Sequence, residues 1–207
     1  MTQPTLEQFL DDVKNHELTI HQNNGVYRHI TLKKPDSYHR YFNITTFPNF
    51  LVITGDMGAL VFFRVNDDMF NFFRSDDLKI NPDYWAEKIQ STSWRAKDAS
   101  FSEFDIDIIK AYAKEALDDF LKDNMLSRFD KEELLEEFDW KILKSEDEYE
   151  IIEEIRNFNC NGFNFVEFSE ENYRVHTYAY IWLCYAIVWG IQKFDEVNEG
   201  ERNVSRT

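Results

Sequence analysis

Cysteine, proline and glycine are scarce, at 2, 4 and 6 in 207 residues. Two thiols, Cys160 and Cys184, cannot build a disulfide framework, and so few point to a reducing compartment. No Pro-rich linker, low-complexity block or internal repeat divides the chain. Met1-Thr2-Gln3-Pro4 lacks the basic and apolar regions of a signal peptide. The longest apolar run, Tyr178 to Ile191, has 14 residues, short of the ~20 that a helix needs to cross a bilayer. Its Trp182, Tyr185 and Trp189 carry polar ring atoms that want partners, so the run reads as a buried core helix. These absences lead to the expectation of a cytoplasmic protein without a membrane partner.

Positive charge is also in short supply. Lys and Arg number 23 against 39 Asp and Glu, a formal net charge of −16. Residues 1–100 hold 13 acids against 11 bases, a net of −2, whereas residues 101–207 hold 26 against 12, a net of −14. Such a field repels nucleic acid and anionic lipid, and steers in basic surfaces within a Debye length of roughly 8–10 Å. Aromatic residues, by contrast, are plentiful: 19 Phe, 10 Tyr and 5 Trp. A disordered acidic chain has no use for them, so this chain folds.

Local patterns then divide the chain. Thr5 with Gln8 forms a capping box ahead of Leu6, Phe9, Leu10 and Val13 at helical spacing. Glu17 to Gln22 and Val26 to Leu32 read as strands around Asn24-Gly25. Further strands are expected over Tyr38 to Thr46, Phe50 to Thr54 and Ala59 to Val65, making an antiparallel meander. Asp67 is expected to cap a short helix through Phe73. Asn81-Pro82 opens a helix carrying Tyr84, Trp85 and Ile89. Beyond it, helices are expected after Ser102–Asp105, after Asp130 and after Ser145 with Glu148. Phe163 to Phe168 reads as a short strand, and a last helix runs from about Glu170 to Phe194. The expected fold is α+β in one domain, 1–207. Residues 1–100 supply a helix and the sheet, 101–195 an acidic helical region, and 196–207 a frayed tail.

Several stretches form a set: Thr46-Phe47-Pro48, Gly55-Asp56-Met57-Gly58, Val61-Phe62-Phe63-Arg64, Met69-Phe70 to Phe73-Arg74, Ile80 to Lys88 (INPDYWAEK), Trp182-Leu183-Cys184-Tyr185-Ala186 and Trp189-Gly190-Ile191. In this order, over roughly residues 25 to 195, the chain resembles uncharacterised accessory proteins of tailed phages and prophages. The resemblance implies no reaction. It implies a small protein acting in a bacterial cytoplasm, in a class that often handles phage DNA or disarms restriction and CRISPR systems.

Four groups of residues invite a functional reading. Glu132, Glu133, Glu136, Glu137 and Asp139 lie on one expected helix, and Glu146, Asp147, Glu148, Glu150, Glu153 and Glu154 on the next. Helix neighbours three or four apart stand about 5–6 Å apart, and duplex DNA carries one charge per ~1.7 Å of axis. Two such helices can imitate a phosphate track before a host protein with a basic nucleic-acid-binding groove. An ordinary solvated face, with first-turn acids favoured by the helix dipole, reads the same way. Arg28, Lys33, Lys34 and Arg40, interleaved with Tyr27, His29, Tyr38, His39 and Tyr41, are an alternative nucleic-acid surface. Asp56 between two glycines reads as a hairpin residue or as a metal ligand or base. His21 and His29 can meet across the first hairpin. No GxGxxG, GxxxxGK[ST], HExxH, CxxC or GxSxG is present, so no cofactor, metal or catalytic residue is assigned.

Overall fold

The computed structural model describes residues 3–65, 68–93, 101–166, 168–169 and 173–204, with side chains as far as residue 199. Helix α1 (Leu6–Val13) leads into strands β1 (Glu17–Asn24), β2 (Tyr27–Lys33), β3 (Phe42–Phe47), β4 (Phe50–Gly55) and β5 (Gly58–Phe63). Short helices α2 (Met69–Phe73) and α3 (Pro82–Ala86) precede β6 (Ile89–Thr92). Strand β7 (Ser102–Phe104) is followed by α4 (Ile106–Asp123), α5 (Arg128–Phe138), a π-helical turn (Asp139–Leu143) and α6 (Glu148–Asn157). Then come β8 (Asn159–Cys160), β9 (Phe163–Asn164), β10 (Arg174–His176) and α7 (Tyr178–Val204). The class is α+β, with an N-terminal antiparallel sheet and a mostly helical C-terminal half. In place of one undivided domain the chain separates into two compact units, Met1–Ser102 with His176–Thr207, and Glu103–Val175.

In the first unit, β1 to β6 pair antiparallel in chain order. The period-2 pattern decides which side is buried. Ile30, Leu32, Phe42, Ile44, Leu51, Ile53, Leu60 and Phe62 point inward and are buried. They share a core with Phe9 and Val13 of α1, Met69, Phe70 and Phe73 of α2, and the apolar residues of α7. Thr5 and Gln8 make the expected reciprocal capping box, and Asn81 caps α3 with Pro82 at its start. Gly25, at φ +61°, starts the two-residue turn from Asn24 to Tyr27. A Cβ at Gly190 of α7 would lie 2.8 Å from Ile44 Cδ1 and 3.3 Å from Phe42 Cε2. Glycine there lets the helix approach the middle of the sheet.

Several boundaries differ from the sequence reading. The third strand begins at Phe42, because Asp36 and Arg40 take left-handed backbone angles, φ 55° and 58°, in the loop before it. Ile89 lies on a sixth strand rather than on α3, and is paired with Phe62. The cap of α2 is Asp68, whose carboxylate accepts the Phe70 amide at 3.0 Å; Asp67 lies outside the described residues. Helix α7 starts at Tyr178, after a strand, and continues to Val204. Glu170, where that helix was expected to begin, and residues 205–207 of the expected tail are outside the described residues.

The second unit has its own core. Ile109, Ala113 and Leu117 of α4 meet Leu134 and Phe138 of α5, Ile142, the isoleucines of α6, Phe158, Cys160 and Phe163. Spacings of three and four place each helix's apolar stripe inward. The caps are Asp105, Ser127 and Asp147, in place of Ser102, Asp130 and Ser145. Ser102 is on a strand, and Asp130 occupies the third helical position, where its amide donates to Ser127 Oγ at 3.2 Å. Ser145 is buried, donating instead to the Asp147 carbonyl and the Glu150 carboxylate. Of the expected strand from Phe163 to Phe168, Phe163–Asn164 is a strand, after a turn with left-handed Asn161 and Gly162, and Glu167 lies outside the described residues.

Candidate partner-binding surface

The acidic residues singled out in the sequence all fall in the second unit. Residues 103–175 hold 22 Asp and Glu against 9 Lys and Arg, a net of −13, while the rest of the chain holds 17 against 14, a net of −3. Because α5 turns Leu134 and Phe138 inward, Glu132, Glu133 and Glu136 face outward and are exposed. On α6, Ile151, Ile152 and Ile155 take the core side, leaving Glu150 and Glu153 exposed beside Glu146 and Asp147 of the preceding loop. Glu137, Asp139, Glu148 and Glu154 are half-buried.

These carboxylates are not equally available. Glu132 pairs with Arg128 at 2.9 Å, Asp139 with Lys144 at 2.9 Å and Glu153 with Arg156 at 3.1 Å. Glu133 accepts from Asn161 at 3.1 Å and Glu150 from Ser145 at 3.1 Å. Glu137 pairs with Lys141 at 2.6 Å. The hydrogen bonds from Lys141 and from the Cys160 thiol hold its carboxyl below the usual range, while burial and that same carboxylate push Cys160 up to about 11. Lys141 also feels the Glu154 charge, so one lysine interrupts the acidic surface between α5 and α6. Asp147 accepts the Tyr149 and Glu150 amides at 2.9 and 3.0 Å, a helix cap in its own right. Among the described residues, Glu136, Glu146 and Glu148 have no hydrogen-bonded or ion-paired partner. Paired exposed acids still present negative potential, because such pairs are weak and exchange readily with solvent.

Sequence reasoning missed an apolar component of this surface. Phe129 on the first turn of α5 is 74% exposed and Trp140 on the π-helical turn is 72% exposed. Glu132 and Glu133 stand three and four residues after Phe129, Glu136 follows them by four and three, and Trp140 lies four residues further on. In the π turn the Lys144 amide donates to the Asp139 carbonyl five residues back, at 3.0 Å. That wider turn keeps Ile142 in the core while Trp140 stays out. The sequence showed both rings, but no helical pattern separates an aromatic that fills a core from one that protrudes.

The remaining candidates lie in the first unit and are engaged structurally. Arg28 points to the core side, is 11% exposed, and grips Asp68 through both terminal nitrogens at 2.8 and 3.0 Å. Its guanidinium also lies over the Phe70 ring at 4.6 Å. Arg40 sits 3.5 Å from Asp12 and near the Tyr178 and Trp182 rings. Only Lys33 and Lys34 of the basic cluster remain, with Lys33 over Tyr38, so the cations are not gathered on one nucleic-acid surface. Asp56 accepts the Arg40 amide at 2.8 Å, and its own amide donates to the Tyr41 carbonyl at 3.0 Å. It closes a loop, with its carboxylate still partly exposed. His21 and His29 do meet, with ring centroids 4.8 Å apart, each bonded to a threonine, Thr31 and Thr45, at 2.8 Å. Burial, then the neighbouring His21, lowers the His29 pKa. Among the described residues no group of three or more His, Cys, Asp or Glu is placed to hold a metal ion, and no helix is long and apolar enough to cross a membrane. Compared with family models, curated proteins and solved structures, the chain matches none.

Proposed function

We propose that the protein is a phage-encoded inhibitor acting in the bacterial cytoplasm, which binds a host nucleic-acid-handling defence protein of the anti-CRISPR or anti-restriction kind. The observation that carries this reading is the concentration of a net −13 in one compact unit, where Glu132, Glu133 and Glu136 of α5 and Glu150 and Glu153 of α6 take outward helix positions. The partner is a protein with a Lys/Arg-lined groove that otherwise holds a phosphate backbone. Glu132, Glu133 and Glu136, with Glu146, Glu150 and Glu153, occupy the positions of phosphates and exclude the nucleic acid. The exposed Phe129 and Trp140 rings offer arginines of that groove flat cation–π partners. Aromatic anchors ringed by charge suit a strong interface better than carboxylates alone, which set on-rate and specificity. The reading requires no cofactor and no catalytic residue.

The test is a tagged pull-down from nuclease-treated bacterial lysate at low and high salt, followed by affinity measurement on the recovered partner. A defence nuclease or effector recovered at low salt and lost at high salt is the expected result. Replacing Glu132, Glu136, Glu146 and Glu153 together by Gln keeps the side-chain shape and removes four charges. Affinity should fall about tenfold or more, at least ~1.4 kcal/mol, and its salt dependence should flatten. A partner bound equally well by the quadruple variant would remove the mimicry reading.

A further inference from the structure

The outward face of the six-stranded sheet differs from the rest of this acidic chain. Its positions follow from the register: Phe47 opposite Phe50, Phe50 opposite Phe63, Val52 opposite Val61, Thr45 opposite Val52 and Thr54 opposite Ala59. Phe47 and Phe50 stack at 4.9 Å, and Phe50 and Phe63 lie 4.9 Å apart. The three rings and two valines make one contiguous apolar patch on β3, β4 and β5. Phe47 is 38% exposed and the other four are partly exposed. None of the five belongs to the first unit's core or to the side chains packed against it. Towards β1 and β2 the face continues with Thr45, Thr31 and Thr19 and the paired His21 and His29. Its charged strand residues are Glu17 and Lys33, which stand directly opposite each other. A chain of net charge −16 thus carries a sheet face with no net charge at neutral pH.

We propose that this face is the seat of a second copy of the chain, in a face-to-face, two-fold symmetric dimer. Three features select that occupant. A nucleic acid needs several cations, and among the described strand residues Lys33 alone faces outward here, since Arg28 is turned to the core. A basic partner finds no unbalanced acid among them. Two copies of a polyanion repel most where acidic surfaces meet and least across a neutral one, and on the two-fold axis itself each group meets its own kind. Val52 and Val61 near the middle tolerate that, whereas a charge would not. Six strands at ~4.8 Å and six residues at ~3.4 Å give a face of roughly 500–600 Å². Two such faces bury about 1,000–1,200 Å², the lower limit for a specific interface. The dimer is therefore weak and concentration-dependent. It is independent of the proposed acidic binding surface, which is in the other unit.

Sedimentation equilibrium of the full chain from about 1 μM to about 1 mM covers the span from micromolar to millimolar association. The mass should climb from 24.9 kDa towards twice that value. The climb should come at lower concentration as salt is raised, because screening reduces repulsion between the anionic bodies. Phe47→Lys, at the exposed end of β3, should hold the mass at the monomer value with an unchanged far-ultraviolet circular dichroism spectrum. Val52→Glu should do the same from the centre of the patch. If it unfolds, Phe47→Lys alone decides. A wild-type chain that stays monomeric throughout, or a dimer undiminished in the folded Phe47→Lys variant, overturns the proposal.

Discussion

The two units solve the same problem with opposite surfaces. The first wraps a sheet, α1 and α2 around a helix that is apolar on nearly all sides, and is almost neutral, at 17 acids against 14 bases. The second closes a smaller core of helices and phenylalanines, with Phe138, Phe158, Phe163 and Phe165 in mutual ring contact, beneath 22 acids against 9 bases. The contrast teaches that core and charge are separable. Apolar spacing alone closes each unit, and the acidic excess rides on positions the cores do not use. Histidine divides the same way, since all five lie in the first unit.

The largest expected effect tests whether the two cores are separate. Trp182, fully buried and donating its indole N–H to Asp12 at 2.9 Å, anchors the first. Phe138 anchors the second. Trp182→Ala and Phe138→Ala should each remove about 3–5 kcal/mol. Hydrogen exchange followed by mass spectrometry should show the lost protection confined to the unit that carries the change. Protection lost in both units from either variant would mean one cooperative core.

A smaller effect separates the structural acids of the second unit from the others. Asp147→Ala removes the α6 cap and should lower stability by about 1 kcal/mol, read from the urea midpoint. Glu136→Ala, at an exposed position with no partner among the described residues, should change it by less than ~0.5 kcal/mol. Equal losses would mean that the acidic face is structural throughout.

The smallest effect is in pH. Burial lowers the pKa of His16 and of His29 in the first unit. A depressed histidine binds fewer protons folded than unfolded, so its stabilisation is complete above pH 6.5 and is lost as pH falls towards the folded value. Glu137, held low by Lys141, keeps its contribution above the ordinary carboxyl range and loses it only at more acid pH. Exchange protection in the first unit should therefore fall between pH 7 and 5.5 while that in the second holds. His16→Asn with His29→Gln should flatten the first response. A fall shared equally by both units would break the comparison.

Local chemistry was readable where it is decided within a few residues. The Thr5–Gln8 box and the Asn81-Pro82 start each depend on one cap geometry, and each lies where its residues put it; the first hairpin forms, but turns at Gly25-Val26, one residue beyond the expected Asn24-Gly25. Caps were misplaced where several polar residues precede a helix. Ser145 was expected to cap α6, but it is buried and Asp147 serves instead. The acids were readable as an excess, but not which of them Arg128, Lys141, Lys144 and Arg156 engage, because ion pairs form between side chains the fold brings together.

The sequence by itself determined an α+β chain with an antiparallel meander and a strongly acidic C-terminal half, because hydrophobic period and charge are written residue by residue. Only the tertiary structure decided that α7 returns to the sheet's unit and leaves the acids to a core of their own. It alone turned Arg28 inward, Trp140 outward and Phe47, Phe50 and Phe63 onto an open face. Those outcomes rest on which surfaces meet across long separations in the chain, and no local pattern encodes that choice.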